Sequence, residues 1–264
     1  MAQDLHLPSV SVIITTYNRP QSVLRLLEIL RTQAHVRWQE HEIIIVDDGS
    51  NTPIQGVAPD YLETFQRDER VLVPVRYLYQ PRDSGSPHLY RNMNWAAREA
   101  SKEILWFTQD DLIFDDHSLF ILQLLHAAYP NTTMWPHLAN QQDPGWYQYP
   151  GSIIACVEEE QVYGYMWAGS STPRKIWEEM GGVDEDFDGS MGFADQDFAI
   201  RAFRNPNVDV ALVRGICAFL DDDESHGSWR NKILTPWRAK HPGEHDPNGV
   251  LFWKKWPHRK PADA

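Results

Sequence analysis

The sequence predicts an α/β fold: a mixed, mainly parallel central sheet flanked by helices, in a single domain. Short β-branched runs have the length and composition of strands buried on both faces, and amphipathic helical stretches separate them. The chain's 264 residues suffice for one large domain, with no solenoid-period repeat and no low-complexity block.

Val10 to Thr15 (VSVIIT) reads as the first buried strand. Pro20 stands where helices begin, and Val23, Leu26, Leu27 and Leu30 repeat at helical spacing behind it. Glu42 to Val46 (EIIIV) is the next strand, stopped by the turn residues Asp47-Asp48-Gly49-Ser50, which completes a β-α-β unit. A strand near Val71 to Tyr79 carries Pro74, which suits an edge or an irregularity. A helix from about His88 to Ser101 presents Leu89, Met93, Ala96, Ala97 and Ala100 inward, followed by a strand from Glu103 to Thr108 and helical spacing from Asp115 to Ala127. Pro130 to Tyr149, rich in Pro, Asn, Gln, Trp and Tyr, breaks the rhythm. Strand-like runs at Ser152–Val157 and Val162–Trp167, helices at Pro173–Met180 and Ala194–Arg204, and strands near Val208–Val213 and Ile216–Leu220 make the second half mixed. The expected division is residues 1–115, residues 116–227 and a tail of residues 228–264.

Composition excludes several classes. With 42% hydrophobic, 23% charged and 12% aromatic residues the chain is a folded globular protein. No apolar run approaches 18 residues and the start has no basic and apolar leader pattern, so a cytoplasmic protein without a transmembrane segment is expected. Cys156 and Cys217 sit in apolar stretches, as buried thiols do. A net charge of −13 argues against nucleic acid as a partner. The charge is uneven: residues 228–264 carry eight Lys and Arg against three acids, net +5, which leaves −18 on residues 1–227. The tail reads as a separate electrostatic object: either a solvated face balancing an acidic body, or a contact for an anionic ligand, an acceptor or a membrane surface.

In open parallel sheets the ligand crevice lies beyond the carboxyl ends of the strands. Three polar loops converge there: Thr15-Thr16-Tyr17-Asn18-Arg19, Asp47-Asp48-Gly49-Ser50 and Gln109-Asp110-Asp111. Adjacent carboxylates repel unless a cation or donors offset them, and Asp110-Asp111 offers the oxygen ligands that suit Mg²⁺ or Mn²⁺ beside substrate phosphates. A further acidic cluster runs from Asp184 to Asp197. Asp195 and Asp197 are two apart and cannot share a helix face; Asp197 has Arg201 four residues on, a surface ion-pair spacing, so Asp195 is assigned to the site. Finally, His226 stands in a polar Gly/Ser loop that supplies Arg230 and Lys232, which could neutralise phosphate oxygens.

SVIITTYNRP, EIIIVDDGS, YRNMNWAA, ILWFTQDDLIF, GGVDEDFDGSMGFADQDFAIRAFR and HGSWR, in that order over about residues 9–232, resemble the family-2 glycosyltransferases with the GT-A fold. The resemblance implies inverting transfer of a sugar from a nucleotide sugar, UDP-linked, to the hydroxyl of a glycan, glycolipid or other acceptor. It makes residues 1–115 the nucleotide-sugar half and 116–227 the acceptor and catalytic half. Carried over, Thr15, Tyr17 and Asp48 contact the nucleoside, with Asp48 accepting from a uracil N3–H; Arg19 belongs to the same loop, and the basic residue near base or diphosphate is Arg82 or Arg91. Asp110 would reach the ribose, Asp111 and His226 the divalent metal (Mn²⁺ or Mg²⁺), and Trp167 and Gly169 the donor sugar. Asp195 falls on the catalytic acid position: it would take the acceptor's proton while the metal and Arg230 stabilise the departing diphosphate. Two departures stand out. Gln109 replaces the usual first aspartate, and Ala194 the first acid of the usual Glu-Asp. They motivate an alternative, a catalytically weak nucleotide-sugar binding protein. A nucleotidyltransferase would show a Gly-rich phosphate loop where this chain has TTYNRP.

Overall fold

The structure, a computed structural model, describes residues 6–57, 75–82, 87–140, 154–156, 167–189, 192–220 and 247–257. Its strands are β1 (Val10–Thr16), β2 (Glu42–Asp47), β3 (Val75–Tyr79), β4 (Ile104–Gln109), β5 (Leu112–Phe114), β6 (Thr132–Asn140), β7 (Ile154–Cys156), β8 (Ser171–Pro173) and β9 (Asp209–Leu220). The helices are α1 (Pro20–Arg31), the single turn α2 (Ile54–Val57), α3 (Leu89–Glu99), α4 (Ser118–Ala128), α5 (Arg174–Met180), α6 (Ala194–Arg204) and α7 (Pro247–Lys255). All nine strands join one sheet in the order β3-β2-β1-β4-β8-β6-β9-β5, with β7 also on β9. Strands β3, β2, β1 and β4 are parallel throughout. Beyond β4 the sheet is mixed: β8 runs antiparallel to β4 and β6, β6 and β9 are parallel, and β5 and β7 are antiparallel to β9.

The period-2 alternation of the strands divides the core in two. Val10, Val12 and Ile14 of β1 pack with Val23, Leu26, Leu27 and Leu30 of α1 and Leu119 and Leu122 of α4. Ile13, pointing the other way, packs with Met93, Ala96 and Ala97 of α3 and Phe198, Ala199 and Ile200 of α6. Each such fully buried large side chain contributes about 1.5–3 kcal/mol relative to exposure, which is why both helical layers hold to the sheet. Pro20 opens α1 at its first turn.

The second half is mixed as expected but differs in detail. The irregular stretch after Pro130 contains β6, whose register with β9 shifts between Pro136 and His137, and the two runs near residues 208–220 are one strand, β9. The tail is corrected more substantially. Its described part forms α7, where Phe252 is fully buried, Trp253 and Trp256 pack on the core, and Arg204 lies 4.7 Å over the Trp256 ring. Lys255 pairs with Asp184 at 2.9 Å and Asp197 at 2.7 Å, so this part of the tail neutralises the acidic body from within rather than standing apart from it. No helix among the described residues is long and apolar enough to cross a membrane.

Candidate active site

Parallel registry sets the carboxyl ends of β1, β2 and β4 side by side: Thr16 is opposite Asp47 and Thr15 opposite Gln109. The loops leaving these ends enclose a pocket lined by Thr15, Thr16, Tyr17, Arg19, Asp48, Arg82, Pro87, Leu89, Asn92, Gln109, Asp110 and Asp111. The two aspartates after β2 divide their work. Asp47 shapes the turn, accepting from Ser50 N at 2.7 Å and Tyr77 Oη at 2.5 Å, and Ser50 Oγ in turn accepts from Asn18 N at 2.6 Å. Asp48 faces the pocket. Between them and Arg82, Gly49 adopts φ +77°, and a Cβ there would stand 2.7 Å from Arg82 N, so only glycine fits the turn.

Asp48 is saturated by donors. Arg82 reaches Oδ2 with Nε at 2.8 Å and with Nη2, Asn92 Nδ2 donates to Oδ1 at 2.9 Å, and the His88 N–H lies 3.2 Å from Oδ2. The Arg82 guanidinium also lies over the Tyr17 ring, 3.4 Å from its centroid, a cation–π contact that fixes both planes. A nucleobase can therefore pair with Asp48 only as Arg82 and Asn92 share or yield their bonds.

Asp110, 5% exposed, accepts from Thr16 Oγ1 at 2.6 Å and Arg19 Nη1 at 3.0 Å, and the same Arg19 nitrogen is 3.7 Å from Asp111 Oδ2. Burial, and then the Asp111 charge, push the Asp110 carboxyl up to about 6 despite Arg19 and Thr16. One Arg19 nitrogen thus lies within reach of both carboxylates. Among the described residues no group of three or more His, Cys, Asp or Glu could hold a metal. The donor set fits a hard divalent cation that keeps one or two carboxylates and takes the rest of its oxygens from substrate phosphates and water.

The other expected site residues fall elsewhere. Arg91 is not in the pocket: its side chain is half exposed with Nε 3.7 Å from Glu185. Trp167 is a core residue, its ring 5.4 Å from those of Phe107 and Trp177 and 4.8 Å from Phe198, and it borders a narrow cleft shared with Thr15, Leu89 and Gln109. Gly169 is a turn residue at φ +76° whose carbonyl accepts from Trp106 Nε1 at 2.9 Å. Asp195 lies in the first turn of α6, half-buried, with Oδ1 3.2 Å from Gln196 N, and is not among the pocket's lining residues. Asp197 pairs with Arg201 at 2.9 Å as its spacing predicts, but the pair is not on the surface: Asp197 is fully buried, because α7 covers it. His226, Arg230 and Lys232 lie outside the described residues. The sequence placed Thr16 in a converging loop without a role and gave none to Asn92, yet these two orient Asp110 and Asp48; a polar residue on the buried face of α3 was the available signal for Asn92.

The acidic run before α6 is largely structural. Asp188 accepts from the first-turn N–H groups of Tyr90 (2.8 Å) and Arg91 (3.0 Å) at the start of α3, and Asp184 caps a short 3₁₀ turn. Ala194 is fully buried, so a glutamate in its place would have to enter the core.

A family model described as glycosyl transferase family 2 matches residues 11–180. The uncharacterized glycosyltransferase YwdF of Bacillus subtilis (strain 168) is 26% identical over 249 residues, 88% of this chain and 84% of that protein. Among solved structures, the 1–349 fragment of S. aureus TarS in complex with UDP-GlcNAc matches with a TM-score of 0.61 at 18% identity, over 80% of this chain and 58% of that one. The mannosyltransferase PcManGT of Pyrobaculum calidifontis, in complex with GDP-Man and Mn²⁺, matches with a TM-score of 0.62 at 15% identity, over 94% and 68%. The chain spans 36% of a longer TarS chain. At such identities the structural likeness speaks for the GT-A fold alone, whereas the family match covers well over half of the chain. A parallel β3-β2-β1-β4 sheet with an Asp-Asp turn at the end of β4, and a family match that runs through both, make this chain a glycosyltransferase belonging to glycosyl transferase family 2.

Proposed function

We propose that the chain transfers a sugar from a nucleotide sugar, UDP-linked, to an acceptor hydroxyl, with inversion and with a divalent metal. The observation that carries this is the pocket itself, where an aromatic and guanidinium platform (Tyr17, Arg82) and the Asp48 carboxylate stand beside the adjacent Asp110 and Asp111 carboxylates. With Arg82 and Asn92 sharing their bonds to it, the Asp48 carboxylate suits the N3–H of uracil, whereas cytosine would set its own acceptor N3 against the carboxylate. Thr16 and Arg19 hold Asp110 in place for a ribose hydroxyl, and Asp111 is the residue we assign to the metal. Bound there, Mn²⁺ or Mg²⁺ would supply positive charge for the leaving diphosphate. Asp195 is the candidate base: a carboxylate that takes the proton of the attacking acceptor hydroxyl, so that displacement is direct and needs no covalent intermediate.

The buried Ala194 favours an active site with one acid over a site that has lost one, because the first turn of α6 is packed without room for the second. The reading is tested by competition titrations with UDP, CDP and GDP in the presence of Mn²⁺, followed by donor turnover. UDP should bind tightest. CDP binding as well as UDP refutes the uracil assignment, and tighter GDP means that the carboxylate pairs with guanine N1–H and N2–H instead. Nucleotide-sugar binding with no turnover by any donor leaves the weak binding protein as the better description.

A further inference from the structure

Helix α7 grips α6 on both sides of Asp195. Ahead of it, Phe193, the residue capping α6 at φ +69°, packs its ring at a tilt on Phe252 (5.1 Å) and edge-on to Trp253 (6.1 Å). Asn248 of α7 donates to the carbonyls of Phe187 (2.9 Å) and Gly192 (3.1 Å), which ties down the loop leading into α6. Behind it, the buried Asp197 takes Lys255 Nζ at 2.7 Å and Trp256 Nε1 at 3.0 Å on Oδ1, and Arg201 Nε at 2.9 Å on Oδ2. Arg201 then reaches the carbonyls of Met180 and Gly182, and Lys255 reaches Asp184, so the turn after α5 belongs to the same network. Phe193 and Asp197 face α7 together. Asp195, two residues from Asp197, lies about 200° around the helix from it and points away from α7.

We propose that α7 is the positioning element for Asp195: Lys255 and Trp256, acting through Asp197, hold the first turn of α6 in place. This rests on the reading of Asp195 as the base. The first turn of a helix has backbone N–H groups without helical partners and frays unless something anchors it. A fully buried carboxylate that satisfies three donors from two helices is such an anchor, since any displacement of the turn would break charge-assisted bonds in a site that water does not reach. The anchor lies beyond the residues 11–180 matched by the family model, and no residue of α6 or α7 lines the nucleotide pocket. Loss of the anchor should therefore separate catalysis from donor binding.

The test uses the full chain with Lys255→Met, Trp256→Phe, Lys255→Arg and Asp195→Asn, all at a temperature where each remains folded. Three quantities are read: nucleoside diphosphate released from UDP-GlcNAc or GDP-Man, whichever the parent turns over; UDP affinity by calorimetry; and amide hydrogen exchange over residues 193–200. Lys255→Met and Trp256→Phe should lower kcat on the order of 10²-fold while UDP affinity stays within about twofold of the parent. They should also speed exchange over residues 193–200 and not over 89–99. Lys255→Arg, which keeps a donor and the charge, should recover most of the rate. Parent-like exchange over residues 193–200, a parent-like kcat, or a Lys255→Arg variant as impaired as Lys255→Met overturns the proposal. Asp195→Asn turning over at the parent rate instead removes the base assignment, an outcome the exchange data keep distinct from failure of the coupling.

Discussion

Lowering the pH from 8 to 5 should cost the fold about 3 kcal/mol, because two histidines are buried in the neutral form. His41 is fully buried; Nδ1 accepts the Val10 N–H at 3.0 Å, so the neutral ring carries its proton on Nε2 and a second proton would have to go on Nδ1, against that N–H. Burial, and then the charges of Lys102 and Arg37, lower its pKa to about 4. His126, 2% exposed, keeps Nε2 at 2.9 Å from Ser171 Oγ, and burial lowers its pKa to about 3. Both sit near 6.5 in the unfolded chain. Above that value neither state is charged and the stability is complete. As the pH falls below 6.5, the unfolded chain takes up protons that the native state refuses, and stability drops until about pH 4 for His41 and pH 3 for His126. At about 1.4 kcal/mol per pH unit, each group costs about 2 kcal/mol by pH 5. Asp110 acts oppositely: its native carboxyl, at about 6 against an ordinary 3.8, takes its proton first. That returns about 1.4 kcal/mol at pH 5. Guanidinium denaturation of the parent and of His126→Gln at both pH values measures this. The parent should lose stability at the lower pH, and His126→Gln should show a slope shallower by about 2 kcal/mol over the interval. A parent equally stable at both pH values, or a variant with the parent's slope, refutes the argument.

Asp111→Ala should abolish the Mn²⁺-dependent part of UDP affinity while leaving the melting temperature near the parent's; equal UDP binding with Mn²⁺ in both proteins counts against the metal assignment. Asp195→Asn should lower kcat by about 10²- to 10⁴-fold with little loss of donor affinity, as expected of a group needed mainly in the transition state. Asp197→Asn should cost about 3 kcal/mol in chemical denaturation, because its partners Arg201 and Lys255 would keep their charges beside a buried, neutral group. A loss below about 1 kcal/mol, the scale of an exposed pair, would contradict its burial. Gly49→Ala forces a Cβ within 2.7 Å of Arg82 N at a positive φ, so it should weaken UDP binding through Arg82 and lower stability as well; unchanged UDP affinity would separate the turn from the pocket.

The parallel half of the sheet was legible in the sequence because its information is local. A strand buried on both faces is an uninterrupted apolar run, its helix repeats every three to four residues, and the polar loops must lie where the strands end. Thus β1, α1, β2, α3 and β4, and the three converging loops, follow from the residue order alone. The mixed half was legible in part: β7, β9, α5 and α6 fall on expected runs, whereas β5, β6 and β8 do not. Strands β5 and β8 are three residues each, too short to show a period, and β6 is interrupted by Pro136 and a register shift. The sequence likewise named Asp48, Arg82, Asp110 and Asp111 but could not choose between Arg82 and Arg91. The tertiary structure aims one guanidinium at Asp48 and leaves the other beside Glu185. The sequence also could not see that Asp197 is buried. The spacing to Arg201 is a property of one helix, whereas burial comes from Lys255 and Trp256 more than fifty residues further on. Periodicity and turn chemistry are written along the chain; which charges are desolvated, and by what, is decided only when distant segments close over one another.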